Sequence, residues 1–103
     1  MITCYINYEI NPAKTAEFEK YAKMWIPLVG KFGGVHHGYY LPHESPSDLA
    51  VCLFSFPSLA AYETYRAKSM QDNACRKAIA FAEETECIRR YDRHFLRPVT
   101  SDT

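Results

Sequence analysis

An α+β fold, with one four-stranded antiparallel sheet carrying its helices on a single face in the order β-α-β-β-α-β, is predicted by three features of this 103-residue chain. The stretch from Gly33 to Phe56 reads as a hairpin: two runs rich in Val, Tyr, Leu and Phe are separated by the breakers His43-Glu44-Ser45-Pro46-Ser47-Asp48. Helical stripes lie before and after that hairpin, and a strand-like run stands at each end of the chain. The second run of the hairpin carries Leu49, Val51 and Leu53 on one face and Ala50, Cys52, Phe54 and Phe56 on the other. It has no polar side, so it requires burial on both.

In chain order, Ile2, Cys4, Ile6, Tyr8 and Ile10 alternate with the polar Thr3, Asn7 and Glu9, which makes a strand. Asn11-Pro12 then offers a side-chain cap and a proline at the first helical position, where its missing N–H costs nothing. Phe18, Tyr21, Ala22, Trp25, Leu28, Val29 and Phe32 recur at three and four residues, and Gly33-Gly34 ends the helix. Pro27 sits inside that pattern, so a kink or two helical segments are expected near Met24 to Pro27. Ser58 caps the next helix and Asp72 or Asn73 a further one, so Leu59 to Thr85 is expected as two helices with a break near Gln71. Ile88 to Arg97 is the last strand, charged and closed by Pro98 as suits an edge. One domain over residues 1–98 and a flexible tail over 99–103 follow. This order is the ferredoxin-like arrangement. Its helices cover one face of the sheet and no element remains for the other, so the expected cover is a second copy, a homodimer packed sheet to sheet.

Lys plus Arg equals Asp plus Glu at 12 each and the pI is near 6.9, so no global field draws in nucleic acid or an anionic membrane. No apolar run reaches the roughly 18 residues of a membrane span. Cys4, Cys52, Cys75 and Cys87 are scattered, with no zinc-ligand or redox spacing, and no signal-peptide pattern precedes the first strand. Reduced, buried thiols and a cytoplasmic location are expected. With 8 Tyr and 6 Phe, the chain holds more aromatic surface than a core of this size consumes, and part of it is expected to meet a ligand or a partner.

Tyr8 ahead of Pro12, the helix around Phe18 to Trp25, the Gly33-Gly34 entry to a strand and the run Phe56-Pro57-Ser58-Leu59-Ala60-Ala61-Tyr62-Glu63-Thr64-Tyr65-Arg66 together resemble the NIPSNAP family. The position two before Tyr8, often an arginine in that family, is Ile6 here, while an aromatic followed by arginine stands at Tyr65-Arg66. The resemblance implies a dimeric α+β barrel of two ferredoxin-like subunits. Antibiotic-biosynthesis-type and haem-degrading monooxygenases and muconolactone isomerases share that architecture. The family's own activity is poorly defined, so the resemblance implies a fold rather than a reaction.

The densest cluster of functional side chains is His36-His37, Tyr39 and His43. Strict alternation places His37 and Tyr39 on one face and His36 and Tyr40 on the other, which makes His37 and Tyr39 the candidate acid/base pair. His37 and His43 lie about 20 Å apart at roughly 3.3 Å per residue along a strand, so no shared metal site, and no other cofactor, is expected. Solvated edge-strand histidines are the simpler account. Trp25, Tyr62, Tyr65 and Arg66 are candidates to line a pocket between helices and sheet, with Arg66 beside Tyr62 at i, i+4. Asn7 is a further candidate ligand contact. Ordinary helix packing and a snorkelling Arg66 are the competing account of the same residues. Functionally, the expectation is a binder of a small, partly apolar or aromatic molecule, with a cofactor-poor monooxygenase or isomerase as its enzymatic form and a noncatalytic ligand-binding or protein-interaction module as the alternative.

Overall fold

Polar caps and glycine corners delimit the helices, and period-two apolar runs form the strands between them. A computed structural model describes residues 1–100; residues 101–103, the end of the tail expected over 99–103, lie outside the described residues. The elements are β1 (Ile2–Ile10), a 3₁₀ turn (Pro12–Lys14), α1 (Thr15–Lys31), β2 (Val35–Tyr40), β3 (Leu49–Phe56), α2 (Leu59–Ser69), α3 (Asn73–Thr85) and β4 (Ile88–Leu96). The strands pair antiparallel in the order β2-β3-β1-β4. This is the ferredoxin-like α+β arrangement, with the second helical region divided in two where Asp72 caps α3.

The Asn11 side chain accepts from the Ala13 N–H at 3.1 Å, Ser58 Oγ from the Ala61 N–H at 3.1 Å, and Asp72 Oδ2 from the Cys75 N–H at 3.0 Å. Each cap satisfies a donor that a helix start leaves free. Asp72 also meets Lys31 Nζ at 2.6 Å, which ties the end of α1 to the start of α3. That hydrogen bond, with the Cys75 backbone N–H, holds the Asp72 carboxyl down at about 2.

Of the kink or two segments expected near Pro27, the division into two segments does not occur: α1 runs as a single helix from Thr15 to Lys31. Pro27 and Lys23, four residues back, are both exposed. The carbonyl that loses its intrahelical donor therefore faces water, and Phe18, Ala22, Trp25, Leu28 and Val29 keep the buried stripe in register.

Alternation divides the sheet cleanly. Cys4, Ile6, Tyr8 and Ile10 of β1 and Ala50, Cys52, Phe54 and Phe56 of β3 are buried beneath the helices, in one cluster with Phe18, Trp25, Leu28, Val29, Tyr62, Tyr65, Cys75 and Ala78. The opposite face carries Tyr5, Val51 and Leu53, half-buried, beside the exposed Val35, Tyr40 and Leu96. No element of the described chain covers that face.

Gly34 makes the turn from α1 into β2 where space is shortest. A Cβ built there would stand 2.7 Å from the Phe56 ring and 2.8 Å from Val29, both held in the core. Gly34→Ala is expected to destabilise the fold by about 1–3 kcal/mol through overpacking. Urea unfolding should show a lower midpoint with an unchanged slope; a wild-type midpoint would mean that the corner is not tight.

Candidate functional site

The helices do not close completely on the sheet. A pocket of about 390 Å³ lies between them, floored by Ile6, Tyr8, His36, Tyr39 and Phe54, roofed by Tyr21, Trp25 and Val29 of α1, and flanked by Tyr62, Tyr65 and Arg66 of α2. Exposed Met70, Ile79, Glu83 and Tyr91 stand at its mouth, and Arg93 of β4 reaches in beside Ile6. Its walls are overwhelmingly aromatic. Tyr8 packs edge-on against Phe18 at 5.0 Å, Phe54 stacks with Tyr62 at 6.2 Å, and Phe56 stacks with Tyr65 at 4.9 Å, so the lining is a rigid array that a flat ligand can join.

Of the residues singled out from sequence, Trp25, Tyr39, Tyr62, Tyr65 and Arg66 line this pocket, whereas His37 and Asn7 do not. The reason for His37 is a bulge. Pairing of β2 with β3 shifts register between His36 and Gly38, and Gly38 adopts φ +126°, a conformation that favours glycine. One irregular residue reverses the parity: His36, not His37, shares a face with Tyr39, and their rings stack at 5.0 Å. His37 turns to the uncovered face, where its Nε2 lies 2.7 Å from Ser55 Oγ and Ser55 Oγ lies 2.7 Å from Thr3 Oγ1. Asn7 is on that face too, in a shallow cleft with Glu9, Asp48, Arg90 and Asp92, and its Oδ1 is buried without a hydrogen-bond partner among the described residues.

His36 has a defined protonation state. Its Nδ1 accepts the Gly38 N–H at 2.9 Å, so the neutral ring carries its proton on Nε2, which points to Cys52 Sγ at 3.5 Å. Burial, and secondarily the charge of His37, push the imidazole down to about 4. Cys52 resembles a histidine-paired nucleophile but is not one: it is fully buried, burial lifts its thiol to about 12, and the imidazole donates to it. Burial likewise raises the Tyr8 and Tyr39 hydroxyls well above the ordinary phenol range and Tyr21 to about 12. At neutral pH the floor therefore presents neutral hydrogen-bonding groups and no ionised base. Both ring nitrogens of His36 are engaged, and among the described residues no three of His, Cys, Asp and Glu converge as a metal site.

The cationic groups are two arginines. Arg66 Nη1 donates to the Tyr62 hydroxyl at 2.9 Å, with its guanidinium 5.9 Å from that ring, as the i, i+4 spacing leads one to expect. Arg93, which sequence reasoning did not single out, lies 5.4 Å from the Tyr91 ring. The available signal was its parity: Arg93 sits with Tyr91 and Phe95 on the face of β4 that turns toward the helices, an unusual place for a charge on an edge strand.

The NIPSNAP family model matches residues 5–102, nearly the whole chain. The chain belongs to the NIPSNAP family. Solved structures similar to this NIPSNAP domain include a NIPSNAP family protein of unknown function from Agrobacterium tumefaciens, 18% identical, with TM-score 0.83 over 98% of this chain and 90% of that one. An uncharacterised NIPSNAP domain protein from Burkholderia xenovorans is 16% identical, with TM-score 0.78 over 98% and 97%. A candidate antibiotic biosynthesis monooxygenase from Nitrosomonas europaea is 7% identical, with TM-score 0.76 over 97% and 100%. At these identities the likeness establishes the fold alone. No curated protein matches the chain.

The low His36 value has a measurable consequence. In the unfolded chain the ring protonates near 6.5 and in the folded one near 4, so the unfolded state binds the extra proton between those values. The stability contribution is complete above pH 6.5 and is lost as pH falls toward 4. The His36 Cε1–H NMR resonance is expected to titrate near 4, and His36→Gln should flatten the fall in urea midpoint across that window. A titration near 6.5 would mean that the ring is hydrated.

Proposed function

We propose that this NIPSNAP domain is a homodimer whose subunits each bind a small, partly apolar or aromatic molecule between the sheet and the helices. The observation that carries the binding half is the pocket itself: about 390 Å³, within the range of roughly 300–1,000 Å³ typical of small-molecule sites, with few polar groups set into aromatic walls. Trp25 Nε1 is buried in that wall beside the Tyr21 hydroxyl and makes no hydrogen bond of full geometry among the described residues, so the donor can turn to an acceptor group.

The uncovered sheet face supports the homodimer. Tyr5, Val51, Leu53, Val35, Tyr40 and Leu96 give this face apolar surface to bury among the polar Asn7, Asp92 and His94, and a twisted sheet is well covered by a copy of itself at about 10 Å. The unpartnered Asn7 Oδ1 and the His37–Ser55–Thr3 chain lie on the same face, where a second subunit would supply partners. Four free, buried thiols are consistent with a reducing, cytoplasmic setting. No helix is long and apolar enough to cross a membrane.

A cofactor-poor monooxygenase or isomerase is the second reading, favoured by the Tyr39 hydroxyl at the pocket floor and by the fold of the Nitrosomonas neighbour. In it the protein would hold the substrate dry and oriented, and Tyr39 would hand over a proton as a neutral acid. A proton-moving role for His37 would belong to the other face of the sheet, at the subunit interface. Noncatalytic binding needs only the walls and their fixed donors, and it takes precedence because the floor offers no ionised base.

Two measurements test this. Native mass spectrometry should give twice the 11.9 kDa chain mass, and Leu53→Glu, which places a charge in the middle of the apolar face, should give the single-chain mass with the circular dichroism unchanged; a monomeric wild type ends the sheet-to-sheet dimer. For the pocket, Trp25 is the one tryptophan of the chain and gives one indole N–H cross-peak in the ¹⁵N spectrum. Uncharged 2-naphthamide is expected to shift it saturably, and Ala82→Phe, which fills the lined space, should abolish the shift; an unmoved cross-peak would mean that the cavity takes no such guest.

A further inference from the structure

The pocket is apolar and aromatic, yet two positive charges line it and nothing negative answers them. The ion pairs among the described residues are Lys23–Glu19, Lys31–Asp72 and Arg90–Asp92; neither Arg66 nor Arg93 takes part in one. Glu83 is the one carboxylate near the mouth, and it is exposed and unpaired with either. Arg66 stands exposed at the rim, where water screens its charge, but Arg93 is half-buried, and a guanidinium drawn that far into such a wall ordinarily has an anion.

The ring contacts that each arginine makes do not substitute for one. A guanidinium stacked on an aromatic ring has its flat face covered while its N–H edge stays free for a planar acceptor. Arg66 spends one N–H on the Tyr62 hydroxyl, whereas Arg93 reaches only the neutral Cys4 thiol and its Nε is buried with no acceptor among the described residues. The neutral state of their neighbours sharpens the point. Cys4 feels both guanidinium groups, yet burial still lifts its thiol to about 11, so it is not the missing anion. Tyr8, Tyr39 and His36 are likewise uncharged.

We infer that the natural ligand of this pocket is an aromatic carboxylate, its ring lying against Tyr39, Phe54 and Tyr62 and its carboxylate held between Arg66 and Arg93. The inference rests on the binding reading above and adds the charge of the ligand and its orientation. Arginine's fork matches a carboxylate's two oxygens, and the wall supplies flat faces for the rest. The volume suits a body of one or two rings. It also implies that the arginines set selectivity: an uncharged analogue of the same shape leaves the half-buried Arg93 without an anion.

The test compares matched acids and amides on the full chain. Benzoate, 2-naphthoate and biphenyl-4-carboxylate are titrated by calorimetry against benzamide, 2-naphthamide and biphenyl-4-carboxamide, with the Trp25 indole cross-peak reporting occupancy. At least one acid is expected to bind tenfold or more tightly than its amide. Arg93→Met and Arg66→Met should each remove most of that ratio, and Arg93→Lys should restore part of it. Equal affinity of acids and amides for the wild-type protein overturns the inference and leaves the pocket reading intact. Binding by none of the six overturns both. The wild-type ratio needs no variant, so a misfolded Arg93→Met cannot obscure the answer.

Discussion

Covering a sheet on two sides with helices enough for one is the constraint from which the rest of this structure follows. β1 and β3 are central strands, and β3 is apolar on both parities. Helices α1, α2 and α3 bury Ala50, Cys52, Phe54 and Phe56, which leaves Val51 and Leu53 without cover from the chain itself. The same division of labour separates two sets of polar groups. Those under the helices belong to the pocket; those on the bare face, Asn7, Thr3, Ser55 and His37, belong to the surface that a second subunit would meet.

Incomplete closure of the helices on the sheet is what makes a pocket at all. Tyr21, Trp25, Tyr62 and Tyr65 are long, flat side chains that meet ring to ring, and Tyr62 and Tyr65 rest on Phe54 and Phe56 of the sheet, so the layers are held apart where smaller aliphatic residues would have let them collapse. Aromatic packing also supplies the platform that supports Arg66 on Tyr62 and Arg93 on Tyr91. A core residue and a binding residue are here the same residue. Packing and ligand contact are therefore not competing accounts of Trp25 or Tyr62.

Desolvation decides the chemistry available in that space. It keeps Cys52 a thiol, His36 an uncharged imidazole and Tyr8 and Tyr39 phenols, although their proximity imitates a nucleophile-and-base arrangement. Guanidinium groups are the exception because they stay charged in any protein environment. Neutral donors on the floor and two arginines among the lining give the pocket a polarity that shape alone would not reveal.

Most of the architecture was legible in the chain itself, because it rests on local and periodic signals: alternation in Ile2 to Ile10, caps at Asn11, Ser58 and Asp72, the glycine corner after Phe32, and a doubly apolar β3. Trp25, Tyr62, Tyr65 and Arg66 stood out from the helix stripes as candidates for one pocket, with helix packing and a snorkelling Arg66 as the competing account, and Tyr39 stood out beside the wrong histidine. Three things were not legible. Whether Pro27 divides α1 depended on which way the freed carbonyl faces, and that is set by packing of the whole helix. The exchange of His37 for His36 came from a one-residue bulge at Gly38, and a period of two carries no warning of its own interruption. Arg93 became part of the site only when β4 paired beside β1 and brought it next to Ile6, a neighbour more than 80 residues away in sequence, since cross-strand position is decided by register between strands rather than by anything within either one.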